Sequence, residues 1–440
     1  MGRAFIMLCL GEGAFSIGAA LMSFALGVSV FEQRASVQQF SNLILASTVP
    51  SLVCMPVAGV LADSVDRRWV IASCDIAAAL MTLFLAYLAF NQLLRFEHLF
   101  VFGAVGAVIG TLRRPAYLAA VAQMVPSDQL IRANGMMEMT AGFVQIGAPL
   151  GAGYLMATWG IESVIVAELV TAVAGACAIL SAFAGASRAI GRTHVQVFCT
   201  PLESLRHSFT GVPDYFKSNP LMLSVLVYVL IQQALLVLVA TMVVPLVLAT
   251  HSSQTLSLVM ALGALGGVMG AALLAGANVT RHLMLWIVAC DAVLSAFVVL
   301  AGLTGTPALW GLCAFGAFAC GSASEVCASA LWMRKVPSSR QGGLFAAIGA
   351  GHLLVICMVM LFGSATVDQF LEPQMRPGAF LAEHLPWLGS GKGRGVALLF
   401  VLAGLTSAIV SLVALLDQRI WSFDRLVPNR EEGAATSPLP

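Results

Sequence analysis

Long, uninterrupted apolar runs dominate this chain and limit what it can fold into. Twelve of these runs reach the roughly 20 residues that a helix needs to cross a bilayer. The chain is 59% hydrophobic and 10% charged, whereas an average soluble domain is about 25% charged. The apolar surface must therefore face lipid, where only helices and closed barrels satisfy every backbone polar group. Because the runs are continuous rather than alternating, we predict an all-α polytopic membrane protein.

The twelve predicted helices form two groups of six. Their predicted bounds are 4–30, 40–62, 70–90, 98–122, 134–158, 162–184, 220–249, 254–276, 282–303, 307–333, 343–368 and 395–417. The longest gap between them, 185–219, is rich in charged residues. We therefore predict an N-terminal six-helix bundle over 1–184, a cytoplasmic linker over 185–219 and a C-terminal six-helix bundle over 220–418. An outer loop at 369–394 and a cytoplasmic tail at 419–440 complete the predicted organisation.

The distribution of Lys and Arg predicts the orientation of these helices. With twelve crossings, 17 of the 22 Lys and Arg residues lie towards one face and the other 5 towards the opposite face. Positive residues accumulate on the cytoplasmic side of a membrane. Both termini and the central linker are therefore predicted to be cytoplasmic.

One charged stretch between the second and third predicted helices has an informative spacing. It reads Gly-x-x-x-Asp-x-x-x-Arg-Arg and contains Gly59, Asp63, Arg67 and Arg68. It resembles the loop that joins the second and third helices of major facilitator superfamily transporters. The resemblance implies the major facilitator fold and a cytoplasmic gate, in which the Asp docks on a neighbouring helix and the Arg pair latches the two halves. Asp128 is the expected partner of the Arg pair, and a solvated turn is the alternative.

Further motifs resemble the exporter branch of that superfamily, which includes macrolide-efflux and siderophore-efflux proteins. They are Pro115-Ala116 at the end of the fourth helix, Val125-Pro126 after it, and Leu130-Ile-Arg-Ala-Asn134-Gly135 at the start of the fifth. The resemblance covers most of residues 1–365. It implies a secondary transporter that exports a mid-sized amphipathic metabolite, a siderophore or a macrolide-like drug, by alternating access in exchange for protons. Lysophospholipid transporters share several of these motifs, so an inner-membrane lysophospholipid flippase is the alternative.

Acidic residues inside the predicted helices are the candidates for proton coupling. Intramembrane charges are costly and mark functional sites, and loss of water favours the neutral form of a carboxyl group. Glu12 in the first helix and Glu325 in the tenth are the preferred proton sites, with Glu138 and Asp291 as further candidates. Each could instead be a structural residue bonded to a neighbouring helix. Asp75 lies close to the membrane edge and is expected to pair with the arginines of the charged stretch.

Polar residues in the inner parts of the helices are candidates for substrate binding. Arg113 and Arg114 are adjacent, so only one of them can face a cavity. A guanidinium group there could bind a carboxylate or a phosphate in bidentate fashion, while the other arginine is expected to snorkel or to pair with an acid. Gln145 and Gln232 are candidates to line the same cavity.

Other classes of protein fit the sequence poorly. A membrane enzyme would need a buried His or a cluster of acids and metal ligands, and His352 has no acid three or four residues away. We predict no catalytic residue, no metal and no cofactor. The expected partners are a small-molecule substrate, protons and the lipid bilayer, without nucleic acid. The protein is expected to act as a monomer in the cell inner (plasma) membrane.

The predicted orientation can be tested by labelling with a membrane-impermeant maleimide. In a cysteine-free background, single cysteines introduced by Gly2→Cys and Ser437→Cys should react only after permeabilisation, because both ends are predicted to be cytoplasmic. A cysteine introduced by Glu383→Cys, in the predicted outer loop, should react in intact cells. Reaction of the two ends from opposite faces would contradict the twelve-crossing count.

Overall fold

Long helices account for nearly all of the chain that the structure describes. The computed structural model describes residues 3–34, 36–124, 130–185, 217, 219–276, 282–335 and 351–417. Helices, turns and short connections occupy these ranges, and no strand occurs in them. The predicted all-α membrane fold is thereby confirmed.

Six helices occupy the first part of the chain, and each contains its predicted apolar run. They are α1 (Arg3–Arg34), α2 (Val37–Ser64), α3 (Arg67–Phe90), α4 (Phe96–Met124), α5 (Leu130–Trp159) and α6 (Ile161–Gly185). Each helix extends past its apolar run by one to four residues at one or both ends. Apolarity decides where a helix enters lipid, whereas capping residues decide where it begins and ends.

Polar capping residues determine where two of these helices begin. The side chain of Ser36 accepts a hydrogen bond from the backbone N–H of Gln39 (3.2 Å) at the start of α2. The carboxylate of Asp66 accepts one from the backbone N–H of Arg68 (3.0 Å) at the start of α3. Asp66 therefore places the arginine pair of the charged stretch in the first turn of α3.

Six further helices occupy the second part of the chain. They are α7 (Pro220–Leu248), α8 (Ser253–Gly276), α9 (Leu283–Leu303), α10 (Pro307–Lys335), α11 (Gly351–Gln374) and α12 (Arg394–Leu416). Two stretches of α11, Val359–Gly363 and Val367–Leu371, are π-helical. The helix continues to Gln374, so six residues assigned from the sequence to the outer loop are helical.

Ten helices in the described part of the chain are long and apolar enough to cross a membrane. The long helices outside this group are α2 and α5, with 28 and 30 residues. At about 1.5 Å per residue, these lengths exceed the roughly 30 Å of a hydrocarbon core. The count of twelve crossings and the cytoplasmic position of the termini stay predictions.

The chain divides into two compact units. One comprises Met1–Leu205 with His251–Ala261, and the other comprises Arg206–Thr250 with Leu262–Pro440. In the first unit α1 packs along α6, and a Cβ on Gly11 would lie 3.0 Å from the carbonyl oxygen of Gly175. In the second unit α9 packs along α12, and a Cβ on Gly404 would lie 3.0 Å from the carbonyl oxygen of Ser295. Small residues thus permit close helix approach where lipid supplies no hydrophobic driving force between helices.

The segment between α11 and α12 is an ordered loop closed at its base. It contains a five-residue helix, Phe380–His384, and a 3-10 turn, Pro386–Leu388. The carboxylate of Glu372 accepts hydrogen bonds from the backbone N–H groups of Gly393 (2.7 Å) and Gly395 (2.9 Å). These groups flank the start of α12, where helical N–H groups have no partner within the helix. A carboxylate is also favoured there by the helix dipole.

Replacing Glu372 by Gln should destabilise this loop. A carboxamide has a single acceptor oxygen, so one of the two N–H groups would lose its partner. Hydrogen bonds to charged groups contribute about 1.5–3 kcal/mol, and we expect a loss of that order in the free energy of unfolding. Equilibrium unfolding in mixed micelles measures it, with Glu383→Gln as the control because Glu383 is exposed in the same loop. Equal stability of the two variants would show that the hydrogen bonds of Glu372 do not stabilise the loop.

Candidate functional site

A buried ion cluster joins α1, α3 and α4 in the first unit. Its centre is Arg113 on α4, a residue that is only 1% exposed. The Nε of Arg113 donates a hydrogen bond to Oδ1 of Asp75 on α3 (2.7 Å). Its Nη1 donates another to Oε2 of Glu12 on α1. One guanidinium group therefore holds carboxylates from two other helices.

One face of α1 forms the rest of this cluster. Glu12, Phe15 and Ser16 are spaced by three and four residues, a spacing that puts side chains on the same side of a helix. The ring of Phe15 lies against the guanidinium group of Arg113, 4.0 Å from its central carbon, which is a favourable cation–π geometry. The hydroxyl of Ser16 donates a hydrogen bond to Oε1 of Glu12 (3.4 Å).

The cluster contains more negative than positive groups. Two carboxylates face one guanidinium group, so full ionisation leaves one excess negative charge. Nη2 of Arg113 and Oδ2 of Asp75 are buried and make no hydrogen bond to another described residue. An uncompensated charge away from water is expensive, and binding one proton removes it. The arrangement is thus chemically suited to taking up and releasing a proton.

The structure corrects one expected pair in this region. Asp75 was expected to pair with Arg67 or Arg68, but it is buried and pairs with Arg113. Asp75 lies seven residues beyond Arg68 on the same helix, roughly 10 Å along the axis at 1.5 Å per residue, and it faces α4. The adjacent Arg114 is exposed, so the two neighbouring arginines do point in different directions.

A second polar network lies in the second unit between α7, α9 and α12. Asp291 on α9 accepts a hydrogen bond from the hydroxyl of Tyr228 (2.9 Å). Gln232, one turn further along α7, donates through Nε2 to the hydroxyl of Ser411 (2.8 Å) and accepts through Oε1 from the hydroxyl of Ser407 (2.8 Å). Unlike the first cluster, this network holds its carboxyl group with neutral donors.

A cavity of about 350 Å³ adjoins this network, with walls from α7, α9, α10 and α11. Asp291, Gln232 and Glu325, all singled out from the sequence, line it together with Gln233 and His352. The side chain of Gln233 hydrogen-bonds to Nδ1 of His352 (3.1 Å). From the sequence alone His352 is not a candidate, because no acid lies three or four residues away from it along the chain. Its partner is on another helix, and the only signal available was its position inside an apolar run.

Several predicted site residues lie outside these two clusters or outside the described side chains. Gln145 is exposed on α5. The side chains of Asp63 and Glu138 are not among those described, although α2 and α5 pass through these positions, and Asp128 lies outside the described residues. The gate motif and the role of Glu138 stay predictions.

Comparisons with known proteins agree with this fold. The family model of the Major Facilitator Superfamily matches residues 4–360. Macrolide efflux protein A of Streptococcus pyogenes is 24% identical over 169 residues, which are 38% of this chain and 42% of that protein. The match thus spans less than half the length of this curated relative.

Two solved structures extend the similarity over almost the whole chain. A bacterial homologue of the iron transporter ferroportin, in an inward-facing state, has a TM-score of 0.66 at 16% identity and covers 93% of this chain and 98% of its own. A peptide transporter, POT, has a TM-score of 0.68 at 12% identity and covers 97% of this chain and 96% of its own. At these identities the similarity shows the fold alone.

Removing the central cation should destabilise the first unit strongly. Arg113→Met keeps an apolar stem but leaves Glu12 and Asp75 without their counter-ion, and breaking a buried ion pair costs about 3–5 kcal/mol. We expect a loss of this order in the free energy of unfolding, measured in mixed micelles. Arg114→Met, at the adjacent exposed position, is the matched control and should change stability little.

A triple variant separates charge from packing. Glu12→Gln, Asp75→Asn and Arg113→Met together remove every charge of the cluster, so much of the lost stability should return. If the triple variant were no more stable than Arg113→Met alone, packing rather than charge compensation would explain the loss.

Proposed function

Because the chain belongs to the Major Facilitator Superfamily, we propose that this multi-pass membrane transporter exports a mid-sized amphipathic metabolite, such as a siderophore or a macrolide-like drug, in exchange for protons. The proposed location is the inner (plasma) membrane, and the proposed functional unit is the monomer. The similarity to macrolide efflux protein A supports export as the direction of transport.

The cluster of Glu12, Arg113 and Asp75 is the observation that carries proton coupling. Its bonds connect three helices, so a change of charge at one carboxyl group alters contacts between helices. A carboxyl group that gains a proton loses its charge-assisted bond to Arg113, which is stronger than a neutral hydrogen bond. A bound proton shifts a conformational equilibrium only if it binds the two conformations differently. In the proposed mechanism, the two conformations bind the proton of this cluster with different affinities.

Glu325 is the candidate for a second proton-exchange site. It lines the cavity of the second unit, its side chain is exposed, and no hydrogen bond or ion pair joins it to another residue in the described part of the chain. Asp291, which lines the same cavity from α9, is bonded to Tyr228 and is the less accessible of the two carboxyl groups. In the proposed mechanism, protonation of a cavity acid competes with substrate binding while the two bundles alternate in access.

The charged stretch from Gly59 to Arg68 is the proposed cytoplasmic gate. Asp66 caps α3, which puts Arg67 and Arg68 in the first helical turn. Cations are unfavourable at the positive end of a helix dipole, so an acidic partner such as Asp128 would offset that cost. The position of the two arginines at this end of the helix therefore favours a latch over a freely solvated turn.

Transport assays in whole cells test the function directly. Cells that express the protein should accumulate less labelled macrolide or siderophore than control cells, and an uncoupler should remove the difference. Glu12→Gln should abolish the uncoupler-sensitive part of export, because the cluster then contains one carboxylate, Asp75, against one guanidinium group and has no excess negative charge for a proton to remove. Glu383→Gln, in the outer loop, should transport like the unmodified protein.

Two outcomes would count against the proposal. Full uncoupler-sensitive export by Glu12→Gln and Glu325→Gln proteins, separately and combined, would exclude coupling through these carboxyl groups. If a deletion strain instead retained labelled lysophospholipid on the outer leaflet and exported macrolides and siderophores normally, a lysophospholipid flippase would replace the proposed exporter.

A further inference from the structure

The cavity of the second unit has a charge pattern that selects among possible substrates. Two carboxyl groups, Asp291 and Glu325, line it, and neither Lys nor Arg is among its described lining residues. His352 also lines the cavity, with its Nδ1 hydrogen-bonded to Gln233. The described lining thus offers two acidic groups against one imidazole, and its net charge is negative when both carboxyl groups are ionised.

The two carboxyl groups differ in whether the protein already supplies a hydrogen-bond donor to them. Asp291 is buried and accepts a hydrogen bond from the hydroxyl of Tyr228, so a neutral donor of the protein already binds it. Glu325 receives none from any described residue, although it borders the cavity on α10. Hydrogen bonds between a carboxylate and a cationic donor are stronger than neutral ones. A ligand that brings a positive charge would complete the bonding of Glu325.

The remaining walls suit an apolar body attached to that charge. Leu230, Leu236, Ile287 and Leu294 line the cavity, and Trp332 adds an aromatic surface. Organic cations interact favourably with aromatic rings, with Trp the strongest partner. A volume of about 350 Å³ lies at the lower end of the roughly 300–1,000 Å³ typical of ligand pockets. It fits one end of a mid-sized molecule rather than the whole of it.

We propose that this cavity binds the cationic, amine-bearing end of an amphipathic substrate, with Glu325 as its counter-ion and Trp332 as an apolar wall. The inference rests on the proposed transport function and narrows its substrate class. It favours amphipathic organic cations over anionic siderophores and over anionic lipid headgroups. Since one carboxylate cannot hold a proton and a cation together, Glu325 would release the substrate when it gains a proton.

Binding of two xanthene dyes of opposite charge tests the inference without requiring transport. Rhodamine 6G is a lipophilic cation and fluorescein is an anion of related shape. Fluorescence polarisation with the purified full-length protein in detergent micelles should show saturable rhodamine binding, at least about tenfold tighter than fluorescein binding, with empty micelles as the blank. Tetraphenylphosphonium, a non-fluorescent organic cation, should displace the rhodamine.

Variants then locate the binding at this cavity. Glu325→Gln should weaken rhodamine binding about tenfold or more, Glu325→Asp should retain most of it, and Glu383→Gln should leave it unchanged. Ser329→Leu narrows the cavity without changing its charge and should also weaken binding, so the inference stays testable if Glu325→Gln fails to fold. Unfolding midpoints establish which variants are folded.

The results separate this inference from the proposed function. Unchanged rhodamine affinity in folded Glu325→Gln and Ser329→Leu proteins would overturn it, as would an unmodified protein that binds neither dye or prefers fluorescein. If export continued in that case, the proposed function would still stand. Conversely, charge-selective binding at the cavity without uncoupler-sensitive export would retain the inference and remove proton-coupled efflux.

Discussion

The hydrocarbon core of a membrane supplies no hydrogen-bond partner, and this constraint shapes the polar clusters in the described part of the protein. Backbone groups are satisfied within the helices, which is why the described chain consists almost entirely of them. Polar side chains face the same requirement: Ser and Thr can meet it within their own helix, as Thr48 does with the carbonyl of Ile44, whereas the buried ion cluster meets it across helices. Arg113 is the most demanding case, because a guanidinium group this deeply buried needs carboxylates from both α1 and α3.

The two units meet the constraint in different ways, and this difference suggests a division of roles. The first unit balances charge against charge, with one guanidinium group between Glu12 and Asp75. In the second unit Asp291 accepts a hydrogen bond from the hydroxyl of Tyr228, and Glu325 lies beside a cavity. A cluster of opposite charges responds to a proton by changing its own internal bonds. An unpaired carboxyl group at a cavity can respond to either a proton or a cationic ligand, so the first unit is suited to coupling and the second to recognition.

Most of the fold could be predicted because a segment that crosses lipid must be a long apolar helix or a strand of a closed barrel. Each predicted apolar run lies within or close to an observed helix, and the disagreements concern ends, where caps such as Asp66 act instead of hydropathy. The end of α11 was placed six residues too early, because the segment 369–394 is rich in Pro and Gly and contains charged residues such as Glu372. In the structure Glu372 instead closes the outer loop on the start of α12. The site was harder to predict. Acidic residues could be identified because a charge inside lipid is energetically unfavourable, but the sequence does not show which residues they bind.

The sequence by itself determined the class of the protein, the position of its helices and the short set of costly intramembrane groups. These follow from composition and from the spacing of residues along the chain. Only the tertiary structure decided that Asp75 pairs with Arg113 rather than with the neighbouring arginines, and that His352 meets Gln233 on another helix. The physical reason is rotation about the helix axis. Spacing shows which residues share a face, but the packing of neighbouring helices decides what that face meets.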